Sequence, residues 1–304
     1  MSIILFLNLK GGVAKTTNAV ATAECLANQG FKTLLIDADH QCMASELTLG
    51  ENRLLQCEKR RMTLHDLLAS MLDDEFELEN TSSFIERKAS NIDDGLDNLD
   101  VLPCSFRIDD FQTNMAKARR GYHSPDEFVK MLSSRRHRLR TWLNKNYDFT
   151  IVDCPPSLPL QIKFFLVTGE YFIVPSVPDR LSVRGSLYLL DRLKNLGIKR
   201  LEPLGVLWSL YRKQNAMHGR MMQHVADRIK PYDRLPEPFE TVIPNSSAIA
   251  DSTEPDHTPA SFTVKYSPKF AKLYRELCHE IIQRTNWQDS EAISGRSKES
   301  EAAV

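Results

Sequence analysis

The sequence predicts an α/β protein, with a mostly parallel central sheet and helices on both faces. Two observations lead there. Short, unbroken apolar runs recur along the chain, as strands buried on both faces require, and segments at helical spacing separate them. The runs also end in loop chemistry, glycine once and aspartate twice, which places ligand-binding groups at one edge of the sheet.

Residues 3–8 form the first strand. Residues 16–28 follow as a helix, with Ala19, Ala23, Leu26 and Ala27 at helical spacing and Gly30 just past its end as a cap. Residues 33–36 are the next strand, stopped by Asp37, which completes a right-handed βαβ unit. Ser124-Pro125-Asp126-Glu127 supplies an N-cap, a proline at the first helical position and a capping-box acid for a helix to about Lys145. Residues 149–152, 171–174 and 204–207 read as further strands with helices between them. Ser267-Pro268 opens a last helix to about Arg284, with Phe270, Leu273, Leu277 and Ile281 on one face.

The 304 residues carry 39 Lys+Arg against 40 Asp+Glu, with 42% hydrophobic, 12 Gly and 15 Pro. Those values exclude a collagenous or low-complexity chain. The six cysteines are scattered, with no C-x-x-C, so they read as reduced thiols of a cytoplasmic protein. No apolar run is long enough for a signal peptide or a membrane span. Residues 73–100 hold ten acids against Arg87 and Lys88 and read as a solvated, mobile acidic insertion of about −8. Residues 286–304 are polar and read as a disordered tail.

Between the first strand and helix lies Lys10-Gly11-Gly12-Val13-Ala14-Lys15-Thr16-Thr17. Glycines after a buried strand let backbone N–H groups converge on phosphate oxygens, while the following helix presents its positive end. Lys15 supplies a point charge for the β and γ phosphates, and the Thr16 hydroxyl is placed to ligate Mg2+. At the end of the second strand, Asp37-Ala38-Asp39 sets two carboxylates at i, i+2. Asp39 suits an attacking water and Asp37 the magnesium shell. The run ending Asp153-Cys154-Pro155-Pro156 places a third acid to hold magnesium through water, with Cys154 as buried structure rather than a nucleophile.

The loop resembles the deviant Walker A (KGGxGKTT) of the ParA/MinD family of P-loop ATPases, nearest to its ParA/Soj-type partition members. Residues 37–41 resemble that family's DxDPQ motif, and 148–156 its hhhDxPP pattern. The chain departs at Ala14, His40 and Cys42, where the family has glycine, proline and glycine. A positive φ at Ala14 would cost about 1 kcal/mol, and a negative φ nothing comparable. ATP binding is expected to persist, with slow turnover. The resemblance implies a P-loop ATPase domain over 1–285, with ATP and Mg2+ as cofactors. It also implies that Lys10 reaches across an ATP-sandwiched homodimer, and that Ser209 and Pro244 flank the base.

Charge is segregated along the chain. Residues 107–145 sum to +6 and residues 180–230 to +8, so near neutrality is an average. Partition members of the family bind DNA nonspecifically as ATP-bound dimers through basic residues on the later helices. The resemblance therefore implies such contacts at Arg180, Arg184, Arg192, Lys194, Arg212, Lys213 and Arg220. It also implies a partner protein that stimulates hydrolysis, and association with the nucleoid when ATP is bound. A MinD-like membrane-surface ATPase and a weakly hydrolysing regulatory nucleotide-binding protein remain alternatives. The first would want a basic amphipathic C-terminal helix, where this chain has Lys298-Glu299-Ser300-Glu301. An iron protein of the nitrogenase type would need paired cysteines that Cys104 and Cys154 do not recreate. No helix-turn-helix precedes the loop, so operator-specific DNA binding is not expected.

Overall fold

The structure is a computed structural model that describes residues 2–73, 75–198, 200–252 and 258–286. Strand β1 (Ser2–Phe6) leads through the glycine loop into α1 (Lys15–Asn28) and β2 (Thr33–Asp37). Helices α2 (Met43–Lys59) and α3 (Leu64–Ser70) precede β3 (Leu99–Leu102), α4 (Phe111–Arg119) and α5 (Pro125–Asn146). Then β4 (Phe149–Asp153), α6 (Leu160–Thr168), β5 (Tyr171–Ser176), α7 (Arg180–Asn195) and β6 (Glu202–Trp208) alternate. Helices α8 (Ala216–Ala226), α9 (Ser247–Asp251) and α10 (Phe262–Arg284) close the described chain.

The six strands form one sheet in the order β3-β2-β4-β1-β5-β6, every pair parallel. Parallel strands covered on both sides have no polar face, and β1 shows why its sequence does not alternate. Ile3, Leu5 and Leu7 enter one apolar core, shared with side chains of α3 to α8. Ile4 and Phe6 enter the other, shared with α1, α2 and α10. The register places Phe6, Asp153 and Asp37 side by side at the C-terminal ends of β1, β4 and β2. That level of the sheet carries the candidate site.

Local signals hold where they were strongest. Ser124 Oγ accepts from the Glu127 nitrogen at 3.1 Å and Pro125 opens α5. Gly30 follows α1 at φ 89°. The last helix begins earlier than expected, at Phe262, because Ser261 caps it through the Val264 nitrogen. Ser267 then breaks the helix at φ 59°, ψ 157°, and Pro268 restarts it.

The acidic segment is solvated over only part of its length: Asp73, Glu75, Glu77, Glu79, Asp93, Asp94 and Asp97 are exposed. Its last two residues open β3, a fully buried edge strand paired with β2, and Ile85, Ala89 and Ile92 enter the core. Its buried acid Asp100 is paired with Arg87 and accepts from the Tyr147 hydroxyl at 2.9 Å. The loop before β3 is fastened to two helices by a buried cluster. Glu24 of α1 accepts from Lys265 Nζ at 2.7 Å, Tyr266 Oη at 2.7 Å and Ser90 Oγ at 2.6 Å. Residues 287–304 of the expected tail lie outside the described residues.

Candidate nucleotide site

The glycine loop spans the end of β1 and the start of α1. Gly11 and Gly12 are exposed with open space around them, and Gly12 has φ 69°. Val13 turns into the core, so it offers the loop only its backbone. Ala14 sits at the helix N-cap in the left-handed region, φ 60° and ψ 37°, where a Cβ is strained. Lys15 is buried and donates to the Lys10 carbonyl at 3.2 Å. Burial pulls its ammonium down from the usual lysine range, and Asp153, Cys154 and Asp39 push it back up. Thr16 and Thr17 are half-buried beside it, and Lys10 is exposed.

The three acids differ in what they touch. Asp153 is fully buried, and among the described residues neither carboxylate oxygen meets a donor at hydrogen-bonding geometry, although the Thr16 hydroxyl lies near enough to favour its charged form. Burial and the neighbouring Asp37 push its pKa up to about 8, while Thr16 and Lys15 pull it back. A buried carboxylate without donors costs free energy unless something outside the chain satisfies it. Its place beside Thr16 and Lys15 fits a hydrated divalent cation under a polyphosphate.

Asp37 departs from expectation. One oxygen accepts from Ser45 N at 2.8 Å and Ser45 Oγ at 2.6 Å, and the other from Asp39 N at 3.1 Å. Burial pushes it up to about 6, with the Ser45 hydrogen bonds opposing. It organises the turn into α2, and of the two acids named for magnesium Asp153 is the one whose oxygens lack such donors. Asp39 stands at the opening, nearly buried, accepting from Gln41 N at 3.1 Å with His40 Nδ1 3.7 Å away.

The two base-flanking segments do meet. Tyr211 N donates to Ile243 O at 3.2 Å and Asn245 N to Tyr211 O at 2.8 Å. The Asn245 amide oxygen accepts from Arg212 Nε at 3.0 Å. Ser209, however, is fully buried, and its hydroxyl accepts from Asn18 Nδ2 at 2.9 Å. Its side chain is part of the fold, whereas Pro244 is half-buried. The seven cations named for DNA are all exposed, and none forms an ion pair with a described residue. All six cysteines are buried and free, and burial pushes the Cys154 thiol well up, which fits a structural role. Sequence reasoning missed Asn8, Asn18 and Ser45, whose roles come from remote or local partners.

A family model described as an AAA domain matches residues 1–203. The chromosome partitioning protein ParA of Caulobacter vibrioides is 25% identical over 303 residues, spanning 96% of this chain and 98% of its own. The sporulation initiation inhibitor protein Soj of Bacillus subtilis is 27% identical over 283 residues, spanning 92% and 97%. The septum site-determining protein MinD of Pyrococcus horikoshii, complexed with Mg-ADP, shares the fold with a TM-score of 0.59 at 22% identity, covering 97% of each chain. With the loop, the acids and the sheet order in place, the chain belongs to the AAA domain family in its ParA/MinD branch of P-loop ATPases.

Proposed function

We propose that the chain is a ParA-like ATPase that dimerises on ATP, binds DNA nonspecifically and uses hydrolysis to position a plasmid, chromosome region or other cargo. The buried, unpartnered carboxylate of Asp153 beside Lys15 carries this reading. Thr16 and Asp153 would hold Mg2+, which when bound neutralises charge developing on the phosphates. Loop N–H groups from Gly11 to Thr17 cradle the phosphates, with Lys15 as the fixed cation. Asp39 orients the attacking water. Lys10, exposed at the loop's outer side, reaches the partner protomer's nucleotide.

The exposed cations of α7, α8 and the intervening loop support a phosphate-directed DNA surface, reached without a recognition helix. Hydrolysis is slow and stimulated by a partner protein, and the protein is cytoplasmic, on the nucleoid while ATP is bound. Among the described residues no helix is long and apolar enough to cross a membrane.

The test is ATP-dependent sedimentation and DNA binding of wild type beside Lys10→Ala. Joint loss of dimer and DNA binding in the variant is expected. A dimer unaffected by Lys10→Ala overturns the sandwich.

A further inference from the structure

Glycine is among the poorest helix formers, yet α7 keeps one in its interior at Gly185. The cause is steric. A Cβ there would stand 3.2 Å from Lys10 Cβ, 3.4 Å from Asn8 Oδ1 and 3.8 Å from the Lys10 nitrogen. Gly185 is where α7 lies against the chain as it enters the loop.

The adjoining side chains lock that contact. Asn8 is buried, and its Nδ2 donates to Pro175 O at 2.7 Å and to Ser186 Oγ at 3.2 Å. Its Oδ1 accepts from the Lys10 nitrogen at 2.9 Å. One amide thus ties the end of β5, helix α7 and the lysine's own backbone together. Ser186 Oγ is in turn 3.1 Å from Ser182 O and 3.3 Å from Ser176 Oγ. Beyond Gly185, the next turns of the same face bring Tyr188 and Arg192 to an open pocket of about 430 Å³ that Lys10 also lines.

We infer that Asn8 and Gly185 are positioning residues that clamp the loop lysine Lys10 to α7, so that Lys10 and the helix bearing Arg184 and Arg192 shift together. A buried, fully bonded amide and a contact with no slack transmit displacement instead of absorbing it. A change at the loop on nucleotide binding therefore reaches the basic face through α7. That consequence rests on the function proposed above, whereas the clamp rests on geometry alone.

The experiment compares wild type, Gly185→Ala and Ser186→Ala. Gly185→Ala adds the methyl that crowds Lys10 while improving helix propensity, so misplacement and loss of fold separate. Its Tm is expected to stay within a few degrees of wild type, the crowding at Lys10 and the gain in helix propensity opposing one another. Amide hydrogen exchange over residues 8–12 of the nucleotide-free protein should be about fivefold faster. ATP-dependent dimerisation should weaken about tenfold, as a shift of a few tenths of an ångström at a positioned group implies. Ser186→Ala, which adds no bulk, should show the same exchange change to a lesser degree. Wild-type exchange and dimerisation in Gly185→Ala overturn the clamp. Faster exchange in the variants with no ATP-dependent dimer in wild type upholds the clamp and overturns the proposed function.

Discussion

Ala14 offers the sharpest test of the loop. Its φ of 60° and ψ of 37° put a Cβ in the left-handed region, which costs an L-residue about 1–2 kcal/mol. Replacing it with glycine removes that strain but enlarges the unfolded ensemble, which costs about 0.4–1 kcal/mol. The difference leaves Ala14→Gly more stable by roughly 0.5 kcal/mol. In a chain of this size that is a rise of about 1–2 °C in Tm. Ala14→Val moves the other way, because a β-branched side chain at positive φ adds strain of about 1–3 kcal/mol. Calorimetry should therefore rank Gly above Ala above Val. Titration with a fluorescent ATP analogue should find wild type binding, with Ala14→Gly close to it, since both hold the same backbone. A Val variant as stable as wild type would refute the strain argument, and no detectable wild-type nucleotide binding would refute the reading of the loop.

Three further outcomes follow from named contacts. Burial and the neighbouring Asp37 push the Asp153 carboxyl up to about 8 from its ordinary 3.8, so the native state holds the extra proton between those values and stability falls as pH rises through them. Asp153→Asn should be more stable than wild type at pH 8 by roughly 2–4 kcal/mol, should differ little near pH 4, and should lose Mg2+-dependent nucleotide affinity; parallel urea profiles at the two pH values would count against it. Lys265→Met strands Glu24 as an unpaired buried charge and should cost about 3–5 kcal/mol, with Glu24→Gln recovering much of the loss in a double-mutant cycle. Arg184→Ala should reduce the salt slope of ATP-dependent DNA binding by about 1 without sequence preference, and a slope equal to wild type would remove Arg184 from the footprint.

What the sequence made legible was local. The first βαβ unit, the loop and the α5 cap each rest on residues within a few positions of one another, where backbone preference and hydrogen bonding act together. β3 was hidden because one of its four residues is Asp100 and its surroundings are acidic. Of the groups that make that acid tolerable, Arg87 lies in the same segment, but Tyr147 comes from 47 residues further along the chain. The division of labour between Asp37 and Asp153 was likewise invisible, since both end apolar strands with the same geometry. Ser45, eight residues beyond Asp37, decides it by occupying one carboxylate and leaving the other bare. Asn8 read as the tail of an apolar run. Its role depends on a helix more than 170 residues later in the chain.

The bare carboxylate also bears on how such a site becomes a switch. Asp37 and Asp153 stand in register on adjacent strands, both withdrawn from solvent, and burial first, then the neighbouring Asp37, disfavours the charge on Asp153, a cost carried by the nucleotide-free site. A ligand that brings positive charge to Asp153 and negative charge to Lys15 relieves that cost, and it does so only in the bound state. The close approach of α7 at Gly185 is then the route by which the loop's state reaches the cations of that helix.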